Sequence, residues 1–346
     1  MGRRNKAYAK TLHQQAYERL TGMLKAGEGR SKKEAILSGT DKDKIFCYGT
    51  YATYWRHTKY FLRWISRKYP DCTTLSKAKE HVHEWLEERT ASPNRYGKPM
   101  SAWTMQTEAA AMNKLFGIRK DDPDRFQPPQ RKRYNITRSR LEVKNDRHFS
   151  EANNAELINF CRGTGCRRNV LKKLEKDDLW SRERMETELS KLIKKQEARE
   201  STLARTLSDA LNIFPDQDCF IHHQKDKNGK YRFAPVIGPH KADIIRRFEE
   251  TRPGKKVWEH VHSAADIHGY RGDYAMRIYK YYARDIDEIP FDRIHPGLGY
   301  RYQSQVYICR SDEAGKRLDK AAMLKASKAL GHNRLDVVAD HYLRGL

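Results

Sequence analysis

The stretch DDPDRFQPPQRKRYNITRSR, residues 121–140, limits the fold of this chain more than any other segment. Pro123, Pro128 and Pro129 lack the amide donor that a helix interior needs, and each pushes the residue before it out of helical geometry. Five of the ten residues from Arg131 to Arg140 are Arg or Lys, a density that keeps the segment in solvent. It therefore separates two domains: a helical one over 1–117, a basic Pro-containing linker over 118–146, and a second domain over 147–346.

Before the linker the periodicity is helical throughout. Tyr8, Leu12, Ala16, Leu20 and Leu24 recur every fourth residue and predict an amphipathic helix over 5–26, followed by a Gly-, Lys- and Asp-rich loop over 27–44. In TYATYWRHTKYFLRWISRKYP, Tyr51, Tyr54, Trp55, Thr58, Leu62 and Ile65 share one face while Arg56, Lys59, Arg63 and Arg67 form another. Two more helices are expected over 76–89 and 102–116, the latter capped by Ser101 and closed by Gly117.

After the linker helix and strand signals mix, and the fold expected is mainly α with a small β-sheet, an α+β class. A helix capped by Ser150 and stopped by Gly163 opens the domain. Residues 181–211 are charged and helix-prone with almost no turn signal, and predict a long exposed helix or a helical pair. CFIHHQKDKNGKYRFAPVIG is a β-hairpin with Asn228-Gly229 in its turn. Helices over 240–252 and 269–284, a short strand near QVYICR, and helices over 318–330 and 335–343 complete the domain.

Charge then narrows the partner. The 346 residues carry 69 Lys+Arg against 45 Asp+Glu, a formal +24, far beyond what solubility requires and attractive to polyanions. Residues 1–140 hold 30 of those cations against 14 acids, so most phosphate attraction is expected there, along Arg56, Lys59, Arg63 and Arg67 and along the linker cations Arg131, Lys132, Arg133, Arg138 and Arg140. No stretch approaches 18 apolar residues, and the start MGRRNK has no apolar signal-like core, so neither a membrane span nor a signal peptide is expected. The six cysteines show no CxxC pair and no zinc-like His spacing, which predicts reduced, intracellular thiols and no metal site.

Four short motifs carry candidate chemistry. GTGCRRN places Arg167 at a turn after a glycine; KDKNGKYRFAP places lysines at the hairpin tip; DIHGYRGDY places His268 and Arg271 three apart on a helix's first turn; and ALGHNRLDVVADHYL places His332 after Gly331, then Tyr342.

In this order and with these residue types the chain resembles the tyrosine recombinase, or phage integrase, family. The resemblance rests on motifs over roughly 147–346 and on architecture alone before that. It implies a helical core-binding domain that closes a C-shaped clamp over DNA with the catalytic domain. It also implies catalytic roles for Arg167, Lys227, His268, Arg271, His332 and the nucleophile Tyr342, with Lys225 and Lys230 as alternatives for the lysine. The activity implied is site-specific integration and excision of a mobile element through a 3′-phosphotyrosine intermediate, by a homo-tetramer on two DNA duplexes, without metal or ATP. The expected setting is the cytoplasm, with the nucleoid of a prokaryote or a phage system. A type IB topoisomerase-like relaxing enzyme and a non-cutting DNA-binding protein of the same fold stand as alternatives. Three departures from the family pattern are visible. The His332-to-Tyr342 interval is one residue longer than usual, with His341 in the usual tyrosine place. The 181–211 segment lengthens the first-arginine-to-hairpin interval. Only four residues follow Tyr342, so either protomers are expected to interlock through another element or the chain is shortened.

Overall fold

The computed structural model describes residues 10–346 except 27, 29–31, 42, 95–96, 124, 132–148, 195–200, 227–229, 291–303, 311–312, 333 and 344–345, and omits the side chains of Lys33, Lys225 and Lys230. The chain divides into two compact units, Met1–Ile136 and Thr137–Leu346. Its class is mixed α+β, predominantly helical with two small antiparallel sheets. No helix among the described residues is long and apolar enough to cross a membrane. The six cysteines are free thiols.

The first unit contains helices α1 (Leu12–Gly22), α2 (Lys32–Leu37), α3 (Tyr48–Lys68), α4 (Leu75–Glu80), α5 (Val82–Ala91) and α6 (Ala102–Phe116). Helix α1 starts later than its periodicity predicts, because Thr11 and Gln14 form a capping box: Gln14 N donates to Thr11 Oγ1 (3.2 Å) and Thr11 N donates to Gln14 Oε1 (2.9 Å). The expected loop at 27–44 contains α2. The helix expected over 76–89 is two helices, interrupted at His81, whose ψ of 4° leaves the helical path. Helix α6 matches its prediction, with Ser101 Oγ accepting from Thr104 N (3.1 Å) and Gly117 closing it at φ 69°. Long α3 buries Tyr51, Thr58, Phe61, Leu62, Trp64 and Ile65, while Tyr54 and Trp55 pack at the margin of the core. Phe61 meets Trp85 edge-on at 5.3 Å between ring centres, so α3, α5 and α6 share one aromatic interior.

The second unit runs α7 (Ala155–Thr164), α8 (Arg168–Leu171), β1 (Leu179–Ser181), α9 (Arg182–Lys194), α10 (Thr202–Ile213), β2 (Cys219–Asp226), β3 (Lys230–Pro235), α11 (Lys241–Glu250), α12 (Ile267–Tyr282), β4 (Val306–Ile308), β5 (Arg317–Asp319), α13 (Lys320–Ala329) and α14 (Leu335–His341). The expected hairpin β2–β3 gains β1 as a third antiparallel strand, in the order β1-β2-β3. β4 pairs with β5, a strand that occupies the start of the helix expected over 318–330. Helix α7 runs through Gly163 and ends at Gly165. A Cβ at Gly163 would stand 2.4 Å from Ile244 Cδ1, so close packing explains that glycine and the left-handed φ of 58° explains Gly165.

The 181–211 segment contains the expected helical pair, α9 and α10, which buries one apolar stripe and leaves much of its surface exposed. Met185, Leu207 and Ala210 are buried in the same core as Phe214, Phe220, Phe233 and Tyr274. The heptad-like spacing of Leu203, Leu207 and Ala210 provides the apolar stripe.

Candidate active site

Two helix ends and one strand pair build the site. At the end of α13, Gly331 adopts φ 68°, Gly331 N donates to Lys328 O (2.9 Å) and His332 N to Ser327 O (2.8 Å), a Schellman closure. This turn places His332 where its Nε2 reaches the Tyr342 hydroxyl. At the end of α7, Gly165 N donates to Cys161 O (2.9 Å), and the chain leaves extended so that Arg167 becomes the residue capping α8.

Arg271, on the first turns of α12, joins these two ends. It is 2% exposed, and its Nη1 and Nη2 donate to Gly165 O and Leu330 O. Carbonyls at helix C-termini carry partial negative charge and lack intrahelical donors, so a guanidinium is a suitable partner for both. Burial lowers the Arg271 pKa; the Arg167 cation lowers it further, and the neighbouring Tyr342 opposes that fall.

Tyr342 lies just beyond α14, with φ −122°, so the tyrosine departs from the helical path expected to continue to 343. It is 7% exposed among Val338, Ala339 and Leu330, yet its hydroxyl stands 3.3 Å from His332 Nε2. The His268 ring, from the first turn of α12, meets the Tyr342 ring edge-on at 5.5 Å. The longer His332-to-Tyr342 interval therefore leaves the two side chains in contact, while His341 is exposed. Asn333, in the turn between His332 and α14, lies outside the described residues.

Sequence patterns did not single out three further members. Arg232 on β3 is buried, donating through Nη1 to Ala329 O and through Nη2 to His223 Nδ1 (3.0 Å) and Asp226 Oδ2 (3.3 Å). Asp226, at the end of β2, also accepts from Arg167 Nη1. Burial and the neighbouring Arg271 bring the Arg232 pKa down to about 10. His223 is completely buried; burial, then Arg232, Arg271 and Arg167, hold its pKa well below the ordinary imidazole value. It is therefore neutral, and since a guanidinium only donates, His223 Nδ1 is the acceptor and its proton sits on Nε2, toward Cys166 Sγ at 3.9 Å. Arg168 acts beside Arg167 in a different way. It donates to His262 O (2.7 Å), Ser263 O (3.2 Å) and Ala265 O (2.6 Å), fixing the loop that leads into α12 and His268. The arginine doublet was the available sequence signal, but nothing in it distinguishes the two roles.

Five of the six sequence-predicted groups, Arg167, His268, Arg271, His332 and Tyr342, thus surround one place. Lys227 lies outside the described residues; Lys225 and Lys230 belong to the flanking strands β2 and β3. Of the expected phosphate contacts, Arg56, Arg63, Arg67 and Arg131 are exposed and Lys59 is half-buried, and none forms an ion pair with a described acid. Lys59 Nζ lies 6.0 Å from the Trp55 ring and Arg63 lies over Tyr60. Lys132, Arg133, Arg138 and Arg140 lie outside the described residues. No protein-family model matches this chain, and no curated protein matches it in sequence.

Proposed function

We propose that this chain is a tyrosine site-specific recombinase, an integrase that cuts and rejoins double-stranded DNA at specific sites through a 3′-phosphotyrosine bond, for integration and excision of a mobile element. One observation supports it above all: the Tyr342 hydroxyl stands 3.3 Å from His332 Nε2, the His268 ring meets the Tyr342 ring, and Arg271 lies near both Tyr342 and Arg167. A phosphodiester under attack gains negative charge on its non-bridging oxygens, and planar guanidinium groups are suited to hold it. Among the described residues Arg271 Nε is buried without a hydrogen-bond partner, a costly arrangement that a phosphate oxygen would relieve.

In the reaction proposed, the Tyr342 oxygen bonds to phosphorus as the P–O5′ bond breaks. The phenolic proton passes to His268 or His332, the two imidazoles in contact with the ring, and Lys227 gives a proton to the leaving 5′-oxygen. A free 5′-hydroxyl from the partner duplex reverses these steps, releasing Tyr342. Exchange of two strands requires active sites on two duplexes, hence a tetramer. Arg56, Lys59, Arg63, Arg67 and the linker cations Arg131, Lys132, Arg133, Arg138 and Arg140 would hold the DNA backbone. The test is a nicked suicide substrate bearing the chain's own attachment site. Wild type should form a covalent protein–DNA band that Tyr342→Phe lacks. A wild type that forms no adduct refutes the activity.

A further inference from the structure

The Asp226 carboxylate belongs to the site, although no sequence motif points to it and the proposed reaction gives it no role. In a regular strand, side chains three residues apart point to opposite faces, so His223 and Asp226 should diverge. The β2–β3 register shifts between these two residues, and both instead accept from the same Arg232 Nη2, at 3.0 and 3.3 Å. An irregularity of this kind re-aims a side chain. What it gains here is a carboxylate only 4% exposed that bridges Arg232 and Arg167. Arg232, in turn, donates to Ala329 O, at the end of the helix that leads to His332. Arg167 remains about a quarter exposed, with one Nη directed to Asp226 and the rest of its fork open to a ligand.

We propose that Asp226 is the positioning residue for Arg167: it fixes the guanidinium so that its remaining edge meets a non-bridging oxygen of the scissile phosphate, and through Arg232 it couples that placement to the His332 turn. The inference rests on the recombinase reading. It predicts a defect confined to phosphate charge rather than to DNA binding. Asp226→Asn keeps the shape and removes the charge that orients Arg167, so single-turnover cleavage should slow by up to about 100-fold, the cost of a misplaced catalytic group. DNA affinity should be unchanged.

Two readouts separate positioning from mere packing. On a methylphosphonate link, which lacks one non-bridging charge, Asp226→Asn should cleave nearly as fast as wild type. In an Arg167→Ala background, adding Asp226→Asn should slow cleavage no further, since the two act as one unit. If Asp226→Asn does not fold, Asp226→Glu, which moves the carboxylate by one methylene, should show the same pattern. Wild-type rates in the variant, an equal penalty on both links, or additivity with Arg167→Ala would each overturn the role of Asp226 while leaving the recombinase reading intact. A wild type that forms no adduct would overturn both.

Discussion

Each of the two units buries a cluster of charged side chains, and the clusters are balanced differently. In the first unit Glu108, fully buried, receives two bonds from Arg89 (Nε to Oε2 at 3.1 Å, Nη2 to Oε1 at 2.9 Å), and His57 Nδ1 stands 3.3 Å from it. Burial alone would raise the Glu108 carboxyl, but His57 and Arg89 hold it below its ordinary value. One acid is matched within the protein. In the second unit Arg167, Arg232 and Arg271 stand together, and among the described residues Asp226 is the carboxylate bonded to Arg167 and Arg232, while Arg271 donates to backbone carbonyls. Two of the three are buried, each with an Nε that has no hydrogen-bond partner among the described residues. A matched cluster stabilises a fold; an excess of buried cations lowers stability until an anion arrives. That contrast, rather than burial itself, makes the second cluster the candidate site.

The largest effects should come from breaking one cluster at a time. Arg271→Ala should reduce cleavage by at least about 100-fold, the usual loss when one preorganised charge-stabilising group is removed. Arg89→Ala should instead destabilise the chain by about 3 kcal/mol, leaving Glu108 buried and unpaired, while the folded fraction keeps its cleavage rate. Urea unfolding and single-turnover cleavage on both variants decide this; equal loss of cleavage would erase the distinction. The acid side sharpens it further. Folded Glu108 titrates below the unfolded carboxyl, so its contribution is complete above about pH 4.3 and is lost as pH falls through the lower folded value. Glu108→Gln should therefore flatten the acid limb of the stability profile, measured by unfolding from pH 5 downward.

An intermediate effect concerns the hairpin tip. Lys227→Ala should slow cleavage of an ordinary 5′-oxygen link by about 100-fold or more, as expected for loss of a general acid, and spare a 5′-thiolated link whose leaving group needs no proton. Equal slowing of both links would assign the proton to another residue, with Lys225 and Lys230 next to be tested. The smallest effects belong to the exposed stripe of α3. Neutralising Arg56, Lys59, Arg63 or Arg67 singly should lower the slope of log K against log salt by about one for each phosphate left without its cation, and cleavage of bound DNA should keep its rate. An unchanged slope would remove that residue from the interface.

What the sequence revealed depended on how local the cause was. Caps with a residue-specific reason were legible: Ser101 and Gly117 needed nothing beyond their neighbours, and the β2–β3 pairing was expected from its strand pattern, while the Asn228-Gly229 turn itself lies outside the described residues. So were the motif residues Arg167, His268, Arg271, His332 and Tyr342. Strand β1 and helix α2 are too short for periodicity to register. The burial of α9 and α10 depends on Phe214 and Phe233 lying against them, a packing that their charged composition hides. Asp226 and Arg232 were missed for a geometric reason. Asp226 turns inward at a strand irregularity, Arg232 stands opposite His223 in the β2–β3 register, and their partners Arg167 and Ala329 are distant in sequence.

The central claim is that Tyr342 forms a covalent bond with DNA. The adduct trapped on a nicked substrate, digested with nuclease and protease and sequenced by mass spectrometry, should place a nucleotide 3′-phosphate on Tyr342, with Tyr342→Phe giving no modified peptide. A nucleotide on any other residue, or an adduct that persists in Tyr342→Phe, would contradict it.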